Sequence, residues 1–268
     1  MNDDKQVVAT AVFGTDAENL DRTFLSFLKN KNAELHAFVV GENLPEKMFP
    51  EICYHLKKPT GEFGALFRET CYRRWEFIDE LGADNVLLVD GCDVLCMQEL
   101  PQTGELLRGA SVGACVEHMG SRYILGQGIT TAFLNAGVTF WNVSATEKVR
   151  RKIIERGLSS YRTKYVDDQL SFNEVVQTLY YDELIILPCQ YNFRYCFGRK
   201  RRNWPTVDHL DGIKLYHNKL CIENAKNAMP VKEKANLLML KRISAPKTKV
   251  SEYYMRLKNR IKNPHIIR

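Results

Sequence analysis

Two aspartates stand at the end of an apolar run in the segment VLLVDGCDVLC, residues 86–96. Asp90 ends the run, a glycine and a cysteine follow, and Asp93 precedes a second apolar stretch. Two carboxylates at this spacing can form an ordinary turn, a Cys/Asp metal site or a pair of oxygen ligands for a hard divalent cation. The segment by itself leaves these three alternatives open.

His217, in the segment IKLYHNKL, is the candidate for a third ligand because it ends another apolar run. Two carboxylates and an imidazole can hold Mn²⁺ or Mg²⁺ and leave positions for phosphate oxygens, and the metal can neutralise the charge that grows on a departing diphosphate. A single histidine at the end of a strand is also typical of a packed structural residue.

The first two thirds of the chain alternates between strand-like and helix-like patterns, which predicts an α/β fold with a mainly parallel, Rossmann-like central sheet. Strands are predicted over residues 6–14, 34–41, 85–90, 111–117, 136–142, 183–187 and 212–217. Helices are predicted over residues 18–30, 64–82 and 99–108, from the capping sequence at Ser144 and from near Asp167. In such folds ligands bind at the carboxyl ends of strands, and Asp90 stands at one of them.

One predicted helix has a clear apolar face, and one glycosylation-like motif stands at the end of the predicted strand 136–142. In the helix over residues 18–30, Leu20, Phe24, Phe27 and Leu28 fall on one helical face. The sequon Asn142-Val143-Ser144 is interpreted as a strand end followed by a helix cap.

The composition favours a globular protein of 268 residues, of which 45% are hydrophobic and 26% charged. The sequence contains no apolar run long enough for a membrane span, and MNDDKQ lacks the features of a secretory signal. The eight cysteines show no zinc-finger spacing, so we expect free thiols, no structural zinc site and a cytoplasmic location.

The net charge of +6 is concentrated near the C-terminus. Residues 231–268 contain eleven Lys and Arg against two acids, so the rest of the chain is slightly acidic. The segment 250–263 predicts a basic amphipathic helix, which suits either an anionic membrane surface or packing on the domain with solvated charges. We therefore divide the chain into a domain over residues 1–228 and a basic tail over residues 229–268.

Five segments in this order resemble glycosyltransferase family 8, the family of glycogenin and the bacterial lipooligosaccharide galactosyltransferases. They are CYRRWEFIDEL, FLNAGVTFWN, VDDQLSFN, LPCQYNF and IKLYHNK. Each segment alone is a weak signal, whereas their order and spacing over about residues 7–220 are fairly specific. The resemblance implies a single-domain GT-A fold and transfer of a hexose from a UDP-sugar, with retention of configuration, to a glycan or glycolipid.

The resemblance also implies roles for individual residues. Asp90, Asp93 and His217 would hold Mn²⁺ or Mg²⁺, while Asp168 and Gln169 would act at the sugar, with Gln169 below its anomeric carbon. The donor contacts that it implies are Thr10, Ala11, Asp16, Arg73, Asn135, Ala136, Gly137 and Lys219, with Lys226 as the alternative lysine. Asp16 can equally be a helix N-cap.

Two departures from the family pattern affect these roles. The family's metal motif is D-x-D, whereas this chain has the longer D-G-C-D, which is similar to the D-x-x-D motif in the glycosyltransferase domain of lysyl hydroxylases. We interpret the glycine as allowing a bulge through which both carboxylates converge. The family's pattern after the histidine is absent, and HNKLCIENAKN stands in its place.

Other functions remain open at this point. A sugar-nucleotide pyrophosphorylase would need a Gly-rich loop after the first strand, which VFGTDAENL does not provide. The basic loop FGRKRRNWP, residues 197–205, together with the tail, is the sole support for a non-catalytic protein that binds a nucleic acid or a membrane surface. We expect no nucleic-acid partner and interpret this loop as lying near the donor diphosphate or an anionic acceptor.

Overall fold

The structure is a computed structural model that describes residues 5–117, 122–125, 129–160, 168–179, 182–193 and 214–217. Within these ranges the strands are β1 (Gln6–Phe13), β2 (Ala33–Val40), β3 (Ile52–Lys57), β4 (Asn85–Val89), β5 (Val94–Cys96), β6 (Val112–Val116), β7 (Arg122–Leu125), β8 (Ile129–Ala132), β9 (Leu134–Asn142), β10 (Leu184–Leu187) and β11 (Leu215–His217). The α-helices are α1 (Leu66–Phe77), α2 (Thr103–Leu107), α3 (Val143–Ser160) and α4 (Asp168–Val176).

Seven of the strands form one central sheet in the order β10-β6-β9-β4-β1-β2-β3. Every neighbouring pair is parallel except the two that involve β9, which runs antiparallel to both β4 and β6. Because β9 is reversed, its first residues lie at the same edge of the sheet as the carboxyl ends of β1 and β4. The predicted α/β fold with a mainly parallel sheet is confirmed.

Alternate residues of the central strands enter two hydrophobic layers, one on each face of the sheet. Val8 and Leu87 belong to one layer, while Val7 and Val86 belong to the other. Helices α1, α3 and α4 cover the second face, where Trp75 is fully buried. The strands are therefore apolar on both sides, as their sequences predicted.

The α-helix predicted over residues 18–30 is wrong, because two 3-10 segments, Gly14–Arg22 and Phe24–Lys29, stand there instead. Phe24 and Phe27 are buried, whereas Leu28, which the prediction put on the same face, is 44% exposed. A 3-10 helix has three residues per turn, so positions i and i+3 share a face and position i+4 turns away from it. The first layer is thus closed by a tighter helix than the pattern indicated.

Four strands were not predicted from the sequence: β3, β5, β7 and β8. β3 is the edge strand of the central sheet, and β7 pairs with β8 outside it. β5 pairs antiparallel with β11 in a separate two-stranded sheet, which brings the segment after Asp93 against the segment that ends at His217.

The start of α3 differs from the prediction by one residue. The helix begins at Val143, and the Asn142 side-chain oxygen accepts the Ala145 N–H at 3.2 Å, as an N-cap residue does. Asn142 therefore ends β9 and caps α3, in agreement with the interpretation of the sequon as a strand end and cap.

Candidate donor and metal site

The segment from Asp90 to Asp93 forms a tight turn directly after β4. The backbone N–H groups of Asp93 and Val94 both donate to the Asp90 carbonyl at 3.2 Å. A Cβ on Gly91 would lie 2.5 Å from the Thr10 Oγ1 atom, so this position needs glycine for space. The glycine thus allows the turn to pack on β1, instead of allowing the bulge that the sequence suggested.

Pairing between β5 and β11 determines the position of His217. The register of the two strands puts His217 opposite Val94, one residue after the turn. Its Nε2 atom lies 3.6 Å from Asp90 Oδ2, and the imidazole is buried. The pairing of these strands brings together two of the predicted metal ligands from distant parts of the sequence.

A chain of buried amides fixes the tautomer of His217. Asn192 Nδ2 donates to Asn135 Oδ1 at 2.7 Å, so the other end of the Asn192 amide is its acceptor oxygen. That oxygen faces His217 Nδ1 at 3.0 Å and accepts its proton. Since Nδ1 holds this proton, Nε2 points at a carboxylate oxygen of Asp90 and carries a lone pair whenever the imidazole is neutral.

Gly137 leaves the space in which these two groups meet. A Cβ on this residue would lie 2.3 Å from Asp90 Oδ2 and 2.6 Å from His217 Cε1. The Gly137 carbonyl accepts the Asp90 N–H at 2.8 Å, which holds the start of the turn on β9. Any larger residue at position 137 would displace the carboxylate or the imidazole.

Arg74 of α1 links the turn to α4. Its guanidinium donates to Asp90 Oδ1 at 2.6 Å, to Asp168 Oδ2 at 2.7 Å and to the Ala136 carbonyl at 2.9 Å. Burial opposes its charge, but the carboxylates of Asp168 and Asp90 outweigh burial and raise the pKa of Arg74. Two carboxylates from separate elements are thus held at one permanently charged guanidinium.

Arg73, the helix arginine that the sequence suggested, lies away from Asp90. Its guanidinium donates to Glu76 at 2.5 Å, to Glu69 at 2.8 Å and to the Lys58 carbonyl at 3.0 Å. Successive residues of an α-helix point about 100° apart, so neighbouring arginines occupy different faces. The arginine that contacts the candidate site is Arg74.

Asn135 and Gln169 form a second group beside the turn. Gln169 Oε1 accepts from Asn135 Nδ2 at 3.1 Å and from the Ala136 N–H at 3.2 Å. Asn135 Nδ2 also donates to Glu117, which the sequence analysis did not single out. These contacts fix the orientation of the Gln169 amide at the start of α4.

The remaining predicted residues occupy varied positions. Asp93 is half-buried, and its carboxylate does not lie within 4.8 Å of both the Asp90 and His217 ligand atoms. Thr10 is fully buried against Gly91, so its side chain is closed to a ligand. Ala11 and Asp16 are half-buried beyond it, and the Asp16 carbonyl accepts the Cys92 thiol at 3.4 Å.

Lys219, Lys226, the basic loop 197–205 and the tail 229–268 lie outside the described residues.

Three site residues were missed by the sequence analysis: Arg74, Asn192 and Glu117. Asn192 stood in the segment LPCQYNF, which supported the family resemblance, but we gave it no role. Arg74 is adjacent to the arginine that we chose. Glu117 is the last residue of the predicted strand 111–117, and ligands bind at the carboxyl ends of such strands. Its position in the sequence could therefore have identified it as a candidate site residue.

The chain has the architecture of several solved glycosyltransferases. An active-site mutant of LgtC superposes with a TM-score of 0.62 over 90% of this chain and 97% of that one, at 15% sequence identity. The fold is that of the GT-A glycosyltransferases.

Two further glycosyltransferase structures match at similar levels. GlyE from Streptococcus pneumoniae gives a TM-score of 0.57 over 94% of this chain and 64% of that one, at 19% identity. The bifunctional WbbM gives 0.54 over 91% of this chain and 52% of that one, at 16% identity. The sequence matches no protein-family profile and no curated protein.

At these identities the similarity shows the GT-A fold alone.

Proposed function

We propose that the protein is a metal-dependent glycosyltransferase that transfers a hexose from a UDP-sugar to a glycan or glycolipid acceptor. The observation that carries this proposal is the Asp90–His217 pair, whose facing oxygen and nitrogen lie 3.6 Å apart at the ligand-binding edge of a GT-A sheet. Both atoms are acceptors in the tautomer that Asn192 fixes, so a cation between them satisfies both.

The chemistry of this pair fits a hard divalent metal. Ligand atoms on adjacent positions of a metal with bonds of about 2.1 Å lie roughly 3 Å apart, which is close to the observed separation. Asp90 and His217 would hold Mn²⁺ or Mg²⁺ from their present positions, and Asp93 would join them as the third ligand after its side chain turns toward the pair. The metal would supply charge neutralisation for the diphosphate leaving group.

We propose that Arg74, and not the predicted donor contact Arg73, is the arginine of α1 that acts at this site, by positioning its carboxylates. Its guanidinium holds Asp90 and Asp168 in fixed positions, so the carboxylates keep their geometry without reorganising when a donor binds. We propose that Asp168 and Gln169 orient the donor sugar, with Gln169 nearest the anomeric carbon. Retention of configuration rests on the family resemblance.

Asn135, Ala136 and Gly137 form the wall of the sugar site in this proposal. The first two hold Gln169, and the third gives room to the metal ligands. At the end of β1 we propose that Ala11 and Asp16 contact the nucleoside, whereas the buried Thr10 side chain supports the turn. Lys219, with Lys226 as the alternative, remains a proposed phosphate contact on sequence grounds.

Three further proposals also rest on sequence alone. They are the division at residue 228, the contact of the basic tail with an anionic membrane surface and a cytoplasmic location. None of the helices in the described ranges is long and apolar enough to cross a membrane.

The proposal is tested by incubating the protein with a panel of UDP-hexoses and Mn²⁺, with and without EDTA, and measuring released UDP. We expect UDP release with at least one donor and its loss in EDTA. Absence of metal-dependent release, together with absence of a thermal shift on adding UDP, would rule the transferase out.

Two variants in the same turn sharpen the test. Asp93→Ala should reduce UDP release by a factor of about 100 or more, because it removes a charged ligand from the metal. Cys92→Ala is the matched control and should retain most of the activity. The opposite result would favour a cysteine-based metal site at this turn.

A further inference from the structure

A second group of metal-ligating side chains lies at the far edge of the central sheet, on β2 and β3. The register pairs His36 of β2 with Cys53 of β3, and His55 follows on the same face of β3. Each residue offers one ligand atom, and the three atoms lie within 4.8 Å of one another. In the part of the chain that the structure describes, this is the one such triplet of His, Cys, Asp and Glu.

The two ring nitrogens of His36 face different partners, and this arrangement suits metal binding. Its Nε2 atom lies 3.2 Å from Glu34 Oε1, and its Nδ1 atom lies 3.0 Å from His55 Nε2. Because a carboxylate accepts, Nε2 carries the proton and Nδ1 presents its lone pair to His55. A carboxylate behind a histidine is the common support of a metal-bound imidazole.

The surroundings lower the pKa of both imidazoles. Burial outweighs the Glu34 carboxylate and lowers the pKa of His36. Burial also lowers the pKa of His55, and so do the His36 imidazole when it is protonated and the Lys57 ammonium. A neutral imidazole is the form that binds metals.

The surroundings hold the ligands in place and leave them accessible. Phe38 stacks on the His55 ring with centroids 4.7 Å apart. The charges around the group balance, since Lys5 pairs with Glu34 and Lys57 pairs with Glu80. Cys53 is exposed, so an ion reaches the group from solvent without a change in the buried core.

We propose that His36, Cys53 and His55 bind one Zn²⁺ ion, with a water molecule as the fourth ligand. Two nitrogens on a tetrahedral zinc with bonds of about 2.05 Å lie roughly 3.3 Å apart, so the observed 3.0 Å needs only a small opening. Binding releases the Cys53 thiol proton and gives a nitrogen and sulfur ligand set, which favours zinc over the oxygen-seeking Mn²⁺.

Zinc at this position would join β3 to β2 at the open edge of the sheet. An edge strand carries unpaired backbone groups and is held by one neighbour alone, so a metal cross-link here resists its separation. This site lies on different strands from the Asp90 turn and does not depend on the glycosyltransferase proposal.

The test uses the metal-free full-length protein and two metals. Zn²⁺ is titrated in competition with a chromophoric chelator, and Co²⁺ is added as a spectroscopic probe of thiolate ligation. We expect one tightly bound equivalent of zinc and a thiolate-to-cobalt charge-transfer band. Cys53→Ser should abolish the band, and Glu34→Gln should weaken zinc binding by about 10- to 100-fold.

Cys92→Ser is the matched control because Cys92 lies beside the carboxylates of the other site. It should retain both the band and the zinc affinity, and so should Asp93→Ala. Zinc should also raise the Tm of the wild type and of Cys92→Ser, but not that of Cys53→Ser. The proposal is wrong if the charge-transfer band survives in Cys53→Ser, or if the wild type shows neither the band nor tight zinc binding. In either case His36 and His55 form a hydrogen-bonded pair that binds no zinc.

Discussion

Replacing Arg74 by methionine tests whether this arginine neutralises the two carboxylates at the candidate site. Methionine keeps the unbranched, apolar body of the side chain, so packing against the neighbouring Trp75 is largely preserved. What is lost is the charge between Asp90 and Asp168 and the donor to the Ala136 carbonyl.

The size of the effect follows from how far each partner is buried. Removing one member of a buried ion pair costs about 3–5 kcal/mol, because it leaves an uncompensated charge. The Asp90 side chain is 38% exposed and that of Asp168 is 22% exposed, so water screens part of this cost. We expect a destabilisation of about 3 kcal/mol, which lowers the Tm by roughly 6–12 °C.

Urea unfolding followed by circular dichroism measures this change, with Arg151→Met as the control. Arg151 is 67% exposed and pairs with Glu147 on the surface of α3, so its loss should change the free energy of unfolding by at most about 0.5 kcal/mol. A double variant, Arg74→Met with Asp168→Asn, should be less destabilised than the sum of the single variants, because the second change removes one unpaired charge.

The reasoning fails if Arg74→Met unfolds at the same urea concentration as the wild type. It also fails if the two single effects simply add, since additivity means that the arginine and Asp168 do not interact. Either result would leave Arg74 as a packing residue of α1.

Three other predictions address separate features. Gly137→Ala should displace Asp90 and reduce metal-dependent UDP release by about 100-fold, at a stability cost of about 1–3 kcal/mol in urea; full activity would contradict the tight contact. Burial opposes ionisation of Glu69, but two backbone N–H groups and an arginine lower its pKa. The ionised carboxylate therefore stabilises the folded protein fully above about pH 4.3, and this contribution is lost as the pH falls through the lowered pKa. Glu69→Gln should therefore flatten the decline of unfolding free energy below about pH 4.3, and an unchanged decline in acid urea titrations would argue against this role. Burial raises the pKa of the Cys115 thiol, so iodoacetamide should alkylate exposed Cys53 first in the metal-free native protein; equal rates by peptide mass spectrometry would refute the burial of Cys115.

The fold could be predicted from the sequence because the central strands are apolar on both faces and end at polar residues. NVLLVD placed Asp90 at the carboxyl end of a strand, which is where the structure has it. The helix over residues 18–30 failed because one 3-10 segment ends at Arg22 and another begins at Phe24, and because within the second segment Phe24 and Phe27 satisfy both the 3.6-residue and the three-residue period. Only Leu28 distinguishes the two, and its exposure is decided by packing.

The choice between Arg73 and Arg74 was beyond the sequence for a related reason. Both residues belong to the same correctly predicted helix, and which one faces the sheet depends on how that helix is rotated about its axis. Trp75 and Tyr72 are the large buried residues of this face, and the buried Arg74 lies between them in sequence. The sequence around a polar residue that lies between two core residues does not indicate whether a partly buried carboxylate will pair with it.

The His36–Cys53–His55 group shows the same limit more strongly, because the expectation of no structural zinc site rested on sequence spacing alone. β3 was not recognised, and without the register between β2 and β3 the histidines and the cysteine are unrelated residues. Once the register is known, their chemistry contrasts with that of the Asp90 turn. One group offers nitrogen and sulfur, the other mainly charged oxygen, so zinc and manganese should separate between them. A single metal that served both sites would contradict this division, and counting the equivalents of Zn²⁺ and of Mn²⁺ bound by Cys53→Ser and by Asp93→Ala decides it.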